Sequence, residues 1–158
     1  MPNNHPTLST GVVYRDPRAA IAWLEKAFGF ETVMLIEDPS GEIAHSELRL
    51  GDGLIMVGRE WDEDHKSPAS LAGKNTQSLH IQIDTDIGAH FERAKAAGAE
   101  VFAEPETQFY GDRVYRCRDP EGHVWTVGQM VKASADQFVA ARLKVPQKAR
   151  QLMIHVGV

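Results

Sequence analysis

The feature that most constrains the fold is a repeat in the order of the predicted elements. Residues 7–14 have an extended pattern. Asp16 and Pro17 then form a typical helix start, an N-cap side chain followed by proline at the first helical position. The apolar spacing predicts a helix that ends at Gly29, and three extended runs separated by turns follow up to about residue 58. This first unit therefore has the order βαβββ.

The same order begins again in the second half of the chain. The segment SLHIQID is a predicted strand, and IGAHFERAKAAGA is a predicted helix that ends at Gly98. Three more strands follow, with Pro105 indicating an edge or a bend in the first of them. An ordinary α+β domain whose elements recur by chance fits the same pattern. We expect an α+β domain at residues 1–131 made of two tandem βαβββ modules, at about 7–58 and 77–130.

The segment after residue 131 has a helical pattern of its own. Ser134 is a candidate N-cap, and apolar residues follow it at helical spacing in the segment SADQFVAARLK. The sequence therefore predicts a C-terminal helix, and this helix and an apolar tail make up residues 132–158. A protein that acts only by binding partners through this helix and tail is the weakest functional hypothesis, because little beyond the tail supports it.

Composition excludes several classes of function. The chain has 158 residues, the usual size of one domain, and a formal net charge of −5 with no long basic run, so nucleic acid is not an expected partner. No apolar stretch approaches the roughly 20 residues that cross a bilayer, so no membrane association is expected. Cys117 is the only cysteine, which excludes an internal disulfide and agrees with a cytoplasmic location.

Five segments carry a resemblance to a known family. In chain order they are DPRAAIAWLEKAFGFE, GEIAHSELRLGDGLIMV, SLHIQIDTD, FYGDRVYRCRDPEGHVWTV and SADQFVAAR. Together they resemble the phosphonate-operon-like branch of the glyoxalase, bleomycin resistance and dioxygenase superfamily, also called the vicinal oxygen chelate superfamily. The resemblance implies a cupped eight-stranded mixed sheet, four strands from each module, around a small-molecule cavity. It also implies a homodimer, sometimes with modules exchanged between chains.

The resemblance leaves the activity open. The superfamily includes metal-dependent isomerases, epimerases, dioxygenases and thiol transferases, and also metal-free proteins that sequester a drug. Metal-dependent members take one ligand, usually His or Glu, from the first and the last strand of each module. The corresponding positions here are Ser9, Met56, Ser78 and Thr126, and none of them is a usual metal ligand. We therefore expect no metal and no other cofactor.

Two alternatives use histidine and glutamate. His80 lies two residues beyond Ser78 and so points to the same face of an alternating strand, and His45 and Glu47 share a face for the same reason. His45, Glu47 and His80 are thus a candidate ligand set for one divalent metal such as zinc or iron. Without a metal, Glu47 and His80 are candidates for catalysis as general base and acid.

The FYGDR segment supplies candidate ligand contacts. Arg113 is expected either to clamp an anionic ligand, with Tyr110 stacking or donating a hydrogen bond, or to pair with Asp112 and stiffen the turn. The expected ligand-binding residues are Met56, Tyr110, Arg113 and Thr126, with Leu54 as a further wall residue and Cys117 either in the core or in the cavity wall. The first functional hypothesis is metal-free sequestration of a small aromatic or amphipathic molecule. The second is an enzyme, either a metal-dependent lyase, isomerase or dioxygenase or a metal-free acid–base catalyst that uses Glu47 and His80.

Overall fold

The computed structural model describes residues 6–131 and shows the predicted element order in both halves. The first module contains β1 (Thr10–Tyr14), α1 (Pro17–Phe28), β2 (Glu31–Glu37), β3 (Ile43–Leu50) and β4 (Gly53–Arg59). The second contains β5 (Ser78–Ile83), α2 (Ile87–Ala96), β6 (Glu100–Thr107), β7 (Asp112–Arg118) and β8 (Val124–Met130). The tandem βαβββ modules are confirmed, whereas the predicted C-terminal helix and tail lie outside the described residues. Neither α-helix in this range is long and apolar enough to span a membrane.

Each module forms its own four-stranded mixed sheet. The strand order is β1-β4-β3-β2 in the first sheet and β5-β8-β7-β6 in the second. The first and last strands of each module pair in parallel, and the remaining pairs are antiparallel. The edge strand β6 contains Pro105, and its register with β7 shifts between Ala103 and Glu106. This irregularity confirms the edge or bend that the proline predicts.

The two helices pack against each other. Asp16 caps α1 by accepting a hydrogen bond from an amide of the first turn at 3.0 Å, and Gly29 ends it in the left-handed conformation, with φ 82°. At this end of α1, the Arg93 guanidinium of α2 donates to the carbonyl oxygens of Glu25 at 2.8 Å and Lys26 at 2.7 Å. A cation at a helix C-terminus is favourable, so Arg93 ties the two helices together.

Alternation along the strands divides each sheet into two faces. Side chains on one face pack with the helices in a single hydrophobic core that spans both modules. The strands contribute to this core Val12, Tyr14, Leu48, Ile55, Val57, Leu79, Ile81, Tyr115, Cys117, Trp125 and Val127. We call the opposite side of each sheet, away from these helices, its open face.

A buried carboxylate also joins the modules. Asp119 is 4% exposed and accepts hydrogen bonds from the Tyr14 hydroxyl at 2.7 Å and the Trp125 indole at 3.0 Å. In the same turn, His123 Nε2 lies 2.8 Å from the carbonyl oxygen of Val13. Burial, together with the negative charge of Asp119, raises the pKa of Tyr14 well above its ordinary value. The tyrosine therefore stays protonated and donates to Asp119.

Candidate ligand-binding faces

The open face of the second sheet carries a row of three polar side chains. Arg116 of β7 lies opposite Thr126 of β8, and Thr126 lies opposite His80 of β5. Because paired residues on neighbouring strands point to the same face, these three lie side by side. Arg116 and His80 are exposed, and Thr126 is half-buried. The structure therefore brings two predicted site residues, His80 and Thr126, together.

The next row, formed by Val114, Gly128 and Gln82, explains how His80 is held. His80 Nε2 lies 3.0 Å from the side-chain oxygen of Gln82. A side-chain amide oxygen only accepts hydrogen bonds, so Nε2 is the donor in this contact. The other ring nitrogen, Nδ1, lies outside the contact. A Cβ at Gly128 would lie 3.0 Å from Gln82 Oε1 and 3.4 Å from His80 Nε2. Glycine thus provides the space that this pair occupies.

The open face of the first sheet combines methionine side chains with an oriented histidine–carboxylate pair. Met56 lies opposite Gly11, and Glu47 lies opposite Met34. His45 Nε2 is 3.1 Å from Glu47 Oε1, and Glu47 is buried. The contact confirms that His45 and Glu47 share a face. This face offers apolar contact to a ligand and one carboxylate that can accept a proton.

The four positions that the resemblance assigns to metal ligands lie on the open faces. On the second sheet, Ser78 is one row before Thr126. Ser9 precedes β1, and extending the β1–β4 register by one residue places it one row before Met56. Three hydroxyls and a thioether include neither the imidazole nor the carboxylate with which proteins bind zinc or iron. These residues do not fit the family's metal. Among residues 6–131, no three His, Cys, Asp or Glu side chains form a cluster suited to a metal ion.

Arg113 lies on the other side of the second sheet. It is opposite Gln129, whose side-chain oxygen accepts a hydrogen bond from the Ile87 amide at the start of α2 at 3.1 Å. This contact places the Arg113 row on the helix side, so Arg113 and Thr126 do not share a face. Within the described range Arg113 also forms no ion pair with Asp112.

Two other expected wall residues differ in their surroundings. Tyr110 lies in the turn between β6 and β7, is 46% exposed, and has its ring edge-on to Phe109 at 5.2 Å. Cys117 is fully buried in the core opposite Trp125, and burial raises the pKa of its thiol to about 12. Of the two expectations for Cys117, the core position is confirmed and the cavity wall is wrong, because its strand position points to the helix side.

Sequence reasoning missed Arg116, Gln82 and Gly128. The length of the turn between β7 and β8 is the sequence signal that could have placed Arg116 on the open face. Once Arg118 is paired with Val124 across that turn, counting two residues along each strand places Arg116 opposite Thr126.

A hollow lies at one end of the second open face. Its lining residues are Gly51, Asp52, Gln82, Ile83, Asp84 and Met130. The turn between β3 and β4 of the first module therefore approaches Gln82, and both modules contribute to one concave surface beside the His80 row. Ligand sites in proteins are typically concave and shared between structural units.

A comparison with protein-family models identifies the family. The family model of the Glyoxalase/Bleomycin resistance protein/Dioxygenase superfamily matches residues 4–127. An uncharacterized protein of Mycobacterium tuberculosis (strain H37Rv) is 33% identical over 144 residues, which cover 88% of this chain and 84% of that protein. The structure of TioX from Micromonospora sp. ML1 is 29% identical, with TM-score 0.62 over 80% of this chain and 99% of that one. The fosfomycin resistance protein FosX from Mesorhizobium loti is 16% identical, with TM-score 0.57 over 85% and 96%, and shows likeness of fold.

Proposed function

Because this chain belongs to the glyoxalase/bleomycin resistance protein/dioxygenase superfamily, we propose that it binds and sequesters a small aromatic or amphipathic molecule without a metal. The observation that carries the proposal is the chemistry of four inherited positions. Ser9, Met56, Ser78 and Thr126 present neutral groups where metal-dependent members present His or Glu. Such a wall suits an organic ligand better than a divalent cation.

The remaining side chains of the open faces support this proposal. On the first sheet, the apolar Leu54 lies opposite Arg49. On the second sheet, the apolar Val114 lies opposite Gly128, one row from Arg116 and Thr126. Both open faces therefore carry apolar side chains next to polar ones. Ligand sites are mostly apolar, with a few placed polar groups that fix orientation. With Met56, these residues provide the apolar part of such a site.

We further propose that the protein is a cytoplasmic homodimer in which a second copy covers exposed apolar surface. The strand β2 is an edge of the first sheet. Its residues Val33, Met34, Leu35 and Ile36 are between 40% and 49% exposed. Consecutive large apolar side chains on an unpaired edge favour association with another chain. The proposed cavity is walled by the two open faces in this dimer.

A neutral aromatic probe, 2-naphthamide, tests the proposed binding. NMR titration of the full chain should give saturable shifts on β4 and β8 in protein that contains no stoichiometric metal. Met56→Gln should weaken binding about threefold to tenfold, because an amide replaces an apolar contact. The exposed loop variant Leu71→Gln is the control and should bind as the wild type does. Stoichiometric zinc, manganese or iron, or no saturable binding, would overturn the proposal.

Metal-free acid–base catalysis is the second candidate. It is favoured by two oriented pairs, since Glu47 contacts His45 and His80 contacts Gln82. In this proposal Glu47 accepts a proton from the substrate and His80 delivers one. With any substrate that the protein turns over, Glu47→Gln should lower kcat by about 100-fold or more while the probe still binds. An unchanged kcat would remove Glu47 from the chemistry.

A further inference from the structure

On the premise of the proposed binding function, we propose that the row Arg116–Thr126–His80 binds an oxyanion group of the ligand, either a carboxylate or a phosphonate. The ligand is then an amphipathic anion with an apolar body and one negative group. This assignment replaces the anion clamp expected at Arg113, which lies on the helix side of the same strand.

The geometry of the row suits an oxyanion. Neighbouring strands lie about 4.8 Å apart, so the row spans roughly 10 Å with the Thr126 hydroxyl at its centre. A group above Thr126 is within reach of the long Arg116 side chain, whose guanidinium donates two parallel hydrogen bonds to carboxylate or phosphonate oxygens. Thr126 adds an O–H donor, and His80 adds a second N–H when its ring carries both protons.

Charge on this face also favours an anion at Arg116. Two residues further along β7, Arg118 is neutralised by Glu100, with Nη1 and Oε1 3.2 Å apart. Arg116 has no ion-pair partner within residues 6–131. The acidic Glu106 of β6 lies opposite Val114, in the next row. Among the described residues, Arg116 is therefore a positive charge without an ion-pair partner, beside two hydrogen-bonding side chains.

The His80 end of the row is preorganised. Gln82 fixes the ring through Nε2, and Gly128 leaves space for both side chains. An exposed histidine without such a contact samples several rotamers, which lowers the affinity for any ligand that must order it. The contact therefore restricts the rotamers that the imidazole samples.

A matched pair of probes tests the proposal. We compare 2-naphthoate with the neutral 2-naphthamide, which has the same ring system, by isothermal titration of the full chain. The wild type should bind the carboxylate about tenfold more tightly. Arg116→Gln should remove that preference and leave the affinity for 2-naphthamide unchanged. Naphthalene-2-phosphonate, used in a third titration, shows which oxyanion the row prefers.

Arg113→Gln is the matched control. It removes the same charge from the same strand but on the other face, so the preference for the carboxylate should persist. Equal binding of both probes by the wild type would overturn the oxyanion row and leave the proposed function standing. A preference that survives Arg116→Gln, or falls equally in Arg113→Gln, would also overturn it. If neither naphthyl probe binds, the proposed function itself fails.

A second pair of variants tests the His80 end without changing charge. At Gly128 a Cβ also comes within 3.2 Å of Val114 Cγ1, whereas a Cβ at Gly58 of β4 meets nothing within 4 Å. Gly128→Ala should displace the His80–Gln82 pair and reduce the preference for 2-naphthoate severalfold, while Gly58→Ala should not. The displacement is measured independently by the ring nitrogen shifts of His80. Displaced shifts with an unchanged preference would exclude His80 from the row.

Discussion

At the scale of single residues, Asp119 is a buried carboxylate that joins the two modules. It accepts from Tyr14 and Trp125 and, through Oδ1, from the amides of Glu121 and His123 at 3.0 Å each. Asp119→Ala leaves these donors buried and unpaired, so we expect the free energy of unfolding to fall by about 3 kcal/mol.

Urea denaturation measures this loss. The control is the exposed turn variant Asp52→Ala, which should change the free energy of unfolding by less than about 0.5 kcal/mol. A loss at Asp119 no larger than the control's would mean that the contacts of this carboxylate contribute nothing measurable to stability.

The buried thiol of Cys117 gives a pH-dependent prediction. Its pKa is raised by burial from 9.0 to about 12, so the folded protein disfavours the thiolate. This group leaves stability unchanged below pH 9 and lowers it as the pH rises from about 9 towards 12, because the unfolded chain then releases the proton more readily.

Alkylation of the thiol provides the measurement. At pH 8 the native protein should react with iodoacetamide far more slowly than the urea-unfolded protein, because the thiolate is the nucleophile. Cys117 is the only cysteine, so the modified mass reports this site alone. Equal rates for native and unfolded protein would contradict the buried position.

The sequence alone predicts the sheet face of some side chains in the candidate site but not of others. Alternation within one strand correctly placed His45 and Glu47 on a common face, because it needs no knowledge of the partner strand. Alternation also puts Arg113 and Arg116 on opposite faces, but deciding which of them shares a face with Thr126 requires the pairing of β7 with β8, which depends on where the turn begins. An error of one residue there exchanges the two faces.

At the scale of elements, local capping signals account for how well the sequence predicted the modules. Asp16 and Gly29 set the ends of α1 through a side-chain hydrogen bond and a left-handed φ, and both effects act within a few residues. The irregular pairing of β6 was foreseen only as an edge or a bend at Pro105. Its register depends on contacts with β7 that no local signal contains.

The contact between the helices gives a prediction at this scale. Arg93 places its charge on two carbonyl oxygens at the end of α1, and Arg93→Met removes both hydrogen bonds while keeping much of the apolar stem. We expect the free energy of unfolding to fall by about 1–2 kcal/mol, measured by urea denaturation. Lys74→Met, in an exposed loop, is the control. Equal effects of the two variants would show that Arg93 contributes no specific contact.

At the scale of the whole molecule, the family determines the scaffold, and four positions determine the proposed use of it. The same doubled module supports metal-dependent and metal-free members, so fold alone does not decide function. The resemblance assigns Ser9, Met56, Ser78 and Thr126 to the metal positions, and we propose that the open faces differ there from those of metal-dependent members. The sheets and helices behind these faces keep the family's order.

The proposed homodimer is tested at the exposed edge of the first sheet. Ile36 is 49% exposed on β2, and Ile36→Lys places a charge where a second copy would bury apolar surface. Light scattering after size-exclusion chromatography should show a dimer for the wild type and a shift towards monomer for Ile36→Lys. Leu71→Lys, 40% exposed in a loop, adds the same charge elsewhere and should remain dimeric. A monomeric wild type, or identical behaviour of the two variants, would contradict this interface. Because both open faces are proposed to wall the cavity in the dimer, the monomeric variant should also bind 2-naphthamide more weakly.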